Sequence, residues 1–504
     1  MRTFVKTTLA ILLATALVGC DSVLQKPEPS TSVSQEVALS NPDAIRGVRT
    51  SMYDRFHSNA LSTDWLLGAS ALADGTIWRG NEERHQNLNV FNREDGLGTG
   101  AYNNLYNLIN DANLLIGGIQ KGALDKPTAN KYKAEARFMR ALAMHHAVRI
   151  FGYDPAGPEP ADGLVQPNSG PGQNFNLGIV IRTKPTLSPQ DANDKARSTV
   201  HEVYDQIVKD LKQSISLFKG LPGDVRTSSY HFANEAAAHA LLARVHLYQR
   251  NWSAANNQAQ KAIDVAAARF GSRLAKPSEL QAMFDETTGD NPEGIFQVST
   301  DPQNSIGVNN ALPAFTSVFW VAQVPTQNLL NQYGKKDKRL DAWYGPCLDE
   351  VNGVSYANTC KDRNKNGYEL QKYQSEVRPS AYADDHVHLR IAEMVLIQAE
   401  ARLHTQGVSA AITRLNDLRE KRNASMLDPA NYNMESAMNE ILAERRRELV
   451  AEGHRFFDLK RLGRDIPKFY GIPDVPFNSF KILDELPENQ LKINKKLKQN
   501  PGYN

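Results

Sequence analysis

Apolar residues recur at spacings of three and four through much of this 504-residue chain, which is the pattern of amphipathic α-helices. The segment 103–118 repeats Leu and Ile in this way and ends in a pair of glycines, a common helix stop. Ser198 is a plausible N-cap for another helix, and Glu202 lies near the capping-box position. The predicted helices span residues 103–118, 128–150, 198–218, 234–249, 253–268, 387–405, 408–422 and 434–452.

Most of these helices come in pairs joined by short turns, and such pairs bury their apolar faces by stacking on neighbouring pairs. Segment 234–264 (NEAAAHALLARVHLYQRNWSAANNQAQKAID) has small residues where two helices would cross and Trp252 at the turn. It resembles a tetratricopeptide repeat. We therefore expect a mainly α fold with a tetratricopeptide-like helical repeat scaffold at about residues 100–150, 198–268 and 387–452.

Two long stretches lack this helical periodicity. Residues 152–194 are rich in Pro and Gly, and residues 270–380 mix Pro, Gly, Asn and aromatics with short strand-like runs such as GIFQVST. Long irregular segments held on a rigid scaffold usually carry function. We therefore expect residues 270–380 to form a large, loop-rich, ligand-facing region with a few short strands.

The N-terminus has the layout of a secretory signal. Two cations precede an apolar run at residues 9–18, which is too short to span a bilayer stably, and the run ends in LVGC, whose last residue is Cys20. These four residues resemble the lipobox of bacterial lipoproteins. The resemblance implies that residues 1–19 are a signal peptide and that Cys20 is lipidated, and several acyl chains would anchor the protein durably. An ordinary cleaved signal followed by a chance cysteine is the alternative.

The rest of the chain has the composition of a water-exposed body on a tether. Residues 20–40 are polar and rich in Ser, Pro and Gln, which predicts a flexible tether, and residues 41–504 are expected to form a single domain. Removal of the signal takes away Arg2 and Lys6 and leaves 56 basic and 56 acidic residues. A nucleic-acid partner is not expected, because such a protein would show a basic excess.

The remaining cysteines and a polar loop lie close together in the irregular region. In an exported protein Cys347 and Cys360 predict a disulfide, with two free thiols as the alternative. Asp362, Asn364 and Asn366 match the opening of a calcium loop, D-x-N-x-N-G, but the twelfth position holds a tyrosine where such loops need a bidentate glutamate. A polar turn is therefore favoured over a calcium site, and no other cofactor is expected.

The C-terminal third carries a dense charged motif. Segment 441–465 (ILAERRRELVAEGHRFFDLKRLGRD) resembles the signature of SusD/RagB proteins, ER-x-x-EL-x-x-EG-x-R-x-x-DL-x-R. Blocks at 134–152, 198–211, 389–403 and 410–424, together with the ending QNPGY, resemble other parts of the same family. The matching signature residues are Glu444, Arg445, Glu448, Leu449, Glu452, Gly453, Arg455, Asp458, Leu459 and Arg461.

This resemblance implies a function and a location. Members of the family are non-enzymatic lipoproteins that sit as lids on a SusC-like TonB-dependent transporter, bind oligosaccharides or in some cases peptides, and pass them to the barrel. The chain is expected on this basis to be lipid-anchored in the cell outer membrane and to face outward. His145 and His146 depart from the family, because relatives usually carry aromatics there, so a relative's ligand does not transfer to this chain.

The charged motif also admits a catalytic interpretation. Its glutamates recur at every fourth position from Glu440 to Glu452, and like charges at that spacing repel unless arginines interleave. We expect arginines of the same segment, including Arg447, to interleave in a structural ion-pair network that orients the last helix, rather than an acid/base site. The residues assigned to this network are Glu444, Arg445, Glu448, Glu452, Arg455, Asp458 and Arg461.

The sequence DDHVH at 384–388 has the residue types of a metal site. It directly precedes the start of a predicted helix, where Asp commonly serves as an N-cap. Capping or solvation is therefore favoured, and no metal is expected.

Carbohydrate capture needs flat apolar faces for sugar rings beside amide and guanidinium groups for the hydroxyls. The piece TIWRGNEER, which begins at residue 76, combines these groups, and the irregular region contains further aromatics. A single aromatic is more often a core residue than a contact. We therefore predict only that one or more of Trp78, Trp320 and Trp343 touches the ligand. The predicted ligand-binding residues are Trp78, Arg79, Asn81, Trp320, Trp343 and Tyr344.

Two other functions compete with nutrient capture. A repeat-containing lipoprotein that scaffolds outer-membrane assembly would share the anchor and the helices, but would not explain the irregular region or the signature. A glycan hydrolase would need a pair of acids that meet in space. The chain has no Gly-rich phosphate loop, no G-x-S-x-G elbow and no H-E-x-x-H motif.

Overall fold

The computed structural model describes residues 39–503, apart from internal gaps at 79–84, 93–95, 155–174, 187–190, 192–193, 285–290, 301–305, 317–322, 347–349, 352–353, 356–367 and 374–383. Within these ranges no helix is both long enough and apolar enough to cross a bilayer. Several predicted features lie outside the described residues: the signal peptide, Cys20, all but the end of the tether, Cys347, Cys360 and the calcium-loop residues Asp362, Asn364 and Asn366.

Helices dominate the described chain, and the prediction of a mainly α fold is confirmed. The main helices are α1 (Pro42–Phe56), α2 (Leu97–Gly117), α3 (Lys126–Phe151), α4 (Val200–Lys219), α5 (Glu235–Tyr248), α6 (Trp252–Phe270), α7 (Ile391–Gln406), α8 (Val408–Glu420), α9 (Met434–Glu448) and α10 (Arg455–Arg461). Shorter helical turns span Asp64–Gly68, Ala69–Ala71, Gln86–Asn89, Pro277–Glu279, Ala282–Phe284, Val308–Asn310, Pro313–Thr316, Gln327–Leu330, Lys338–Trp343, Pro429–Asn431, Phe480–Ile482 and Glu488–Ile493.

Side-chain caps begin several of these helices where the sequence carries a short polar residue. Helix α4 starts with a capping box, in which the Thr199 hydroxyl accepts from the Glu202 N–H at 3.2 Å and the Glu202 carboxylate accepts from the Thr199 N–H at 2.7 Å. The prediction of Ser198 as the N-cap was therefore wrong by one residue. Glu202 is the correct partner, because only from Thr199 does the hydroxyl reach the third helical residue.

The helices stack in sequence order to form the scaffold. Each helix from α2 to α7 packs against the next along the chain, α1 packs on α2, and α9 packs on α7. The crossing faces are built from small residues: Ala255, Ala259, Ala262 and Ala266 of α6 are all fully buried. Methyl side chains let neighbouring helix backbones approach closely, and the apolar core runs continuously from Ile45 near the N-terminus of the described chain to Leu497 near its end.

Short antiparallel strands lie mostly in the irregular region. Strand β8 occupies residues that the periodicity assigned to the start of a helix, so helix α7 begins at Ile391 and not at residue 387. The strands are β1 (Thr76–Trp78), β2 (Gly294–Val298), β3 (Gln323–Pro325), β4 (Tyr344–Pro346), β5 (Glu350–Val351), β6 (Val354–Ser355), β7 (Tyr368–Leu370) and β8 (His386–Arg390). They pair as β1–β3, β2–β8, β4–β7 and β5–β6.

The DDHVH sequence is buried and neither caps a helix nor faces solvent. The Asp385 carboxylate accepts hydrogen bonds from the Thr300 N–H, at 3.0 Å, and from the Gln297 side chain. His386 lies between the hydroxyls of Thr63 and Thr300, at 3.0 and 3.2 Å. The expectation of capping or solvation was therefore wrong, because the segment joins β8 to the core. Among the described residues no group of three or more His, Cys, Asp or Glu side chains is placed to hold a metal.

Candidate ligand-binding site

The N-terminal segment and the irregular region meet at one strand pair. Strand β1 runs antiparallel to β3, with Trp78 opposite Gln323 and Thr76 opposite Pro325. Ile77 and Val324 form a small apolar cluster on one side of this pair, and Ile472 packs against it. The two segments that the sequence assigned to ligand binding, one before the repeats and one between them, are therefore neighbours in the fold although they are more than 240 residues apart.

A buried glutamine holds this strand pair to the scaffold. The Gln323 side chain is inaccessible to solvent. Its amide N–H groups donate to the carbonyl of Leu67, at 3.0 Å, and to Nδ1 of His85, at 2.7 Å, while its carbonyl accepts from the Thr76 hydroxyl at 3.2 Å. Both amide hydrogens are used. Gln323 therefore holds strand β1, the helical turn Asp64–Gly68 and His85 in one arrangement.

His85 is held in a defined orientation beside these strands. Because Nδ1 accepts from Gln323, Nε2 carries the proton in the neutral ring and donates to the Asp64 carboxylate at 2.8 Å. The ring stacks on Phe315 with centroids 4.6 Å apart. The backbone of His85 has φ of 55°, a strained conformation for a residue other than glycine. This strain at a junction of several bonded groups is typical of functional sites.

A cavity of about 220 Å³ opens next to His85. Ala60, Leu88 and Leu97 supply apolar wall, while Asp64 and the exposed Asn87 supply an acceptor and an amide. Asp64 is the only acid among the described lining residues. The cavity can therefore bind a small hydroxyl-bearing group through an amide and a carboxylate against an apolar wall.

The predicted ligand-binding residues separate into three groups. Trp78 is half-buried at the end of β1. Trp343 is fully buried, with its indole N–H donating to the Leu280 carbonyl at 2.8 Å, and Tyr344 is 3% exposed. The structure corrects the prediction for these two residues, because core packing covers both rings. The remaining predicted residues, Arg79, Asn81 and Trp320, lie outside the described residues.

Sequence analysis did not single out Asp64, His85, Phe315 or Gln323. No local motif marks them, since their relation depends on the pairing of β1 with β3. A glutamine in a loop-rich region is unremarkable until both of its amide hydrogens are seen to be bonded.

The signature segment positions the start of β1. Arg455 forms a bidentate pair with Asp74, at 2.8 and 3.0 Å, and Arg446 donates to the Asp74 carbonyl at 2.7 Å. Burial alone would raise the pKa of the Asp74 carboxyl, but the two guanidinium groups outweigh it and lower the pKa. Asp74 therefore stays ionised and holds the chain two residues before Thr76, so the family motif supports the strand that carries Trp78.

The glutamates of α9 are engaged by arginines, mostly from other elements. Glu448 accepts from Arg339, Arg390 and Arg422, all within 3.0 Å and all buried. Arg390 and Arg422 overcome the effect of burial and hold the pKa of Glu448 well below its usual range. Glu444 pairs with Arg339, Arg419 and Arg447, and Glu452 pairs with Arg390 and Lys372.

The arginine partners therefore differ from those expected. Of the four arginines proposed within the segment, only Arg447 pairs with the glutamate stripe. Arg445 and Arg461 instead hold Asp458, and Arg461 also holds Glu400 of α7 at 2.6 Å. Helix α9 ends at Glu448, so Glu452 lies in the following turn, where Ala451 and Gly453 have positive φ. A side chain at Gly453 would meet the Trp65 carbonyl at 2.8 Å, so this position requires glycine.

The fold and the site define a mainly helical repeat protein with an irregular, partly stranded region set on its scaffold. Two family models match the sequence: "SusD family" over residues 292–503, and "Starch-binding associating with outer membrane" over residues 24–247. Between them they match more than four-fifths of the chain. The chain belongs to the SusD/RagB family.

Relatives and solved structures agree with this assignment. SusD-like protein P2 of Formosa agariphila is 26% identical, with 99% of each chain covered. A SusD-like protein of Bacteroides ovatus is 21% identical over 95% of this chain and 86% of its own length. The crystal structure of a SusD superfamily protein from Bacteroides thetaiotaomicron has a TM-score of 0.73 at 22% identity and covers 92% of this chain and all of its own. A SusD-like carbohydrate binding protein from Bacteroides vulgatus has a TM-score of 0.72 at 19% identity, covering 91% and 97% of the two chains.

Proposed function

We propose that this protein captures a nutrient, in the first place an oligosaccharide, and delivers it to a SusC-like TonB-dependent transporter in the outer membrane. The observation that carries the proposal is the family match along both halves of the chain. One matching family is described as starch-binding and associated with the outer membrane, and one structural neighbour is named a carbohydrate binding protein. A peptide ligand is the alternative within the same transport role.

The mixed polar and apolar lining of the cavity beside His85 supports a hydroxyl-rich ligand. Asp64 and Asn87 offer an acceptor and an amide, and the half-exposed Trp78 lies on the adjoining strand. Sugar rings combine apolar C–H faces with hydroxyls that both donate and accept, so they match this mixture of groups.

Binding without catalysis is part of the proposal. Glycoside hydrolysis needs two carboxyl groups about 5–10 Å apart across the bond that breaks, whereas the described cavity lining contributes Asp64 alone. The acids of the signature segment do not supply a second site of this kind, because Glu444, Glu448 and Glu452 are buried in ion pairs that lower their pKa values. A carboxylate that stays ionised cannot act as a general acid.

Anchoring and handover complete the proposed mechanism. Lipidation of Cys20 would hold the protein on the outward face of the outer membrane, and residues 21–40 would let it move over the transporter. Affinity for the ligand should be moderate, because a very slow off-rate would limit delivery.

Purification of the lipidated protein from solubilised outer membrane tests the transport role. We expect a TonB-dependent barrel to co-purify in near-equal amount, because a lid protein works in a stoichiometric complex with its transporter. Identification and quantification of the co-purified proteins by mass spectrometry is the measurement. Recovery of an outer-membrane assembly barrel instead, or of no partner at all, would overturn the transport proposal and favour an assembly scaffold.

Replacing Trp78 with alanine should weaken oligosaccharide binding about tenfold, because stacking on an aromatic ring contributes about 0.5–1.5 kcal/mol beyond the area it buries. Calorimetric titration with an oligosaccharide that the wild-type protein binds is the measurement. Trp252→Ala is the matched control, since Trp252 is also half-buried but stacks on His404 within the scaffold. Equal affinities for wild type and Trp78→Ala would exclude Trp78 as a contact.

A further inference from the structure

A second cavity, of about 390 Å³, lies between α2, residues 180–186 and the C-terminal turn Glu488–Ile493. It shares no lining residue with the cavity beside His85. We call it the amide groove, because its lining includes the side-chain amides of Asn103, Asn107 and Gln490. We infer that the amide groove is a second carbohydrate-binding site, separate from the strand pair that carries Trp78. The inference takes its ligand class from the proposed function. The position and the contacts of the groove do not depend on β1 or β3.

The floor of the amide groove is already built. The Asn110 carboxamide accepts from the Thr186 N–H at 2.7 Å and donates to the Thr186 carbonyl at 3.3 Å. Asn113 donates to the carbonyls of Arg182 and Lys184, at 3.2 and 3.0 Å. These bonds tie the backbone of residues 182–186 to helix α2, so a ligand would meet a formed surface and would not have to order a loop.

The exposed rim of the groove retains hydrogen-bonding capacity. Asn107 is exposed on α2 and makes no side-chain hydrogen bond to any described residue. Asn103, also exposed, accepts from the Gln490 amide at 3.2 Å, which leaves the Asn103 N–H groups and the Gln490 carbonyl to face solvent. An amide offers one donor group and one acceptor, as a sugar hydroxyl does, so a row of amides can bind hydroxyls without carrying charge.

Charge and shape narrow the ligand class. Among the described lining residues Arg182 and Asp194 are the charged groups, and they cancel, so the groove does not select a polyanion. Ile493 is 69% exposed and lies in the same lining as the partly buried Tyr106, which provides apolar surface for the C–H face of a sugar ring. The volume falls within the usual range for small-molecule sites, about 300–1,000 Å³.

A neutral oligosaccharide fits this groove better than a protein segment does. A docking groove for a helix or strand presents a continuous apolar strip. Here Ile493 is the one strongly exposed apolar residue among the described lining residues, and the exposed polar groups of the groove are mainly amides. A second site on the same protein would retain a polysaccharide chain by raising its effective concentration at the first site, with no need for high affinity at either.

Hydrogen-exchange mass spectrometry on the full-length protein tests the inference. The probes are neutral maltose, xylose and mannose oligosaccharides of about six units, each at millimolar concentration. We expect protection of peptides from 102–113 and 488–497 in addition to any protection at β1 and β3. In the double variant Asn103→Leu/Asn107→Leu, the peptides from 102–113 and 488–497 should no longer be protected, while any protection at β1 and β3 should remain. Asn257→Leu, on an exposed position of α6, is the matched control and should behave as wild type.

The other outcomes are distinct. Protection at β1 and β3 alone overturns the amide groove and leaves the proposed function intact. No protection anywhere by any of the three probes overturns the groove together with the neutral-oligosaccharide part of the proposed function. The double variant can also be purified from outer membrane as above. If it no longer co-purifies with the barrel, while the protection by oligosaccharides is the same as in wild type, the groove is a protein interface and the carbohydrate inference is wrong.

Discussion

Replacing Glu448 with glutamine is expected to lower the free energy of unfolding by about 3–5 kcal/mol, because removing one partner of a buried ion pair leaves uncompensated charge. Glu448 is the last residue of α9, and its carboxylate accepts four hydrogen bonds of 2.7–3.0 Å from Arg339, Arg390 and Arg422. Glutamine preserves the shape of the side chain but removes its charge. The loss is a large share of the 5–15 kcal/mol that usually separates folded from unfolded protein.

No neighbouring acid can replace the lost charge. Glu293, at the start of β2, already pairs with Arg390 at 2.8 Å and with Arg422 at 2.6 Å. Arg339 lies in the irregular region and Arg422 is the second residue after α8, so the network joins that region to the repeats. Without Glu448 the junction between the two parts of the fold should weaken first.

Urea unfolding followed by circular dichroism measures this effect as a shift of the midpoint. Glu435→Gln is the matched control, because Glu435 is exposed on the first turn of the same helix and such substitutions usually change stability by less than about 0.5 kcal/mol. Identical midpoints for Glu448→Gln and wild type would show that the network contributes nothing to stability.

Acidification should destabilise the protein well before its ion-paired carboxylates are protonated. Seven buried histidines have a lowered pKa, and burial is the first cause for each; it lowers the pKa of His239 to about 4 and that of His388 to about 3. They are His145, His146, His239, His246, His386, His388 and His454. In the unfolded chain a histidine has a pKa of about 6.5, so below that pH the unfolded state binds protons that the folded state does not.

The packing around these rings explains why they stay neutral. His146 stacks on Trp65 with centroids 4.1 Å apart, and His145 makes edge contacts with the rings of Tyr204 and Tyr248. Among the described residues neither ring nitrogen of His145 has a hydrogen-bond partner. Arg149 and Arg244 lie near His145 and His146 and further disfavour a positive charge on these two rings.

The sign and the size of the effect follow from linkage. Because the unfolded state binds more protons, stability falls as pH falls below about 6.5, by about 1.4 kcal/mol per pH unit for each histidine that stays neutral. Seven such groups give at most about 10 kcal/mol per pH unit. Ion-paired carboxylates such as Asp458, whose pKa is lowered, add to the loss only below about pH 4. Between pH 7.5 and 5 the loss therefore comes from the histidines. Glu369 opposes it in part, because burial raises the pKa of its carboxyl to about 7 and the folded state takes up a proton there that the unfolded chain does not.

Urea midpoints measured across that interval test the prediction. His145→Leu should reduce the dependence of stability on pH by about 1.4 kcal/mol per unit, because it removes one group that titrates only in the unfolded state. His201→Leu is the matched control, since His201 is exposed on α4 and water reaches its ring in both states. A pH profile unchanged in His145→Leu would mean that this ring is protonated in the folded protein or is not buried.

Local sequence patterns were sufficient to predict the scaffold. Helices α3 and α6 match the predicted segments to within about three residues, because three- and four-residue apolar spacing and the neighbouring Gly and polar residues act within one helix. The same reasoning failed at β8. Its five residues, HVHLR, are all buried, and a buried run this short has no periodicity that separates a strand from a helix.

Charged partners and ligand contacts depended on tertiary structure. Sequence analysis assigned the glutamate stripe to arginines nearby in the chain, whereas Arg390 reaches Glu448 from a strand 58 residues earlier. Trp343 and Tyr344 have the composition of contacts, but packing against Leu280 and Tyr333 places both in the core. Nothing local distinguishes these rings from Trp78, which stays half-exposed.

The sequence by itself determined the class of this protein: a helical repeat scaffold with an irregular region, carrying the SusD/RagB signature. Helix formation and motif spacing are local properties, so they can be read from consecutive residues. Only the tertiary structure decided where the site lies, because pairing of β1 with β3 joins residues more than 240 positions apart. Burial and charge pairing are settled by all neighbours at once, which is why Gln323, His85 and the amide groove became visible only in the fold.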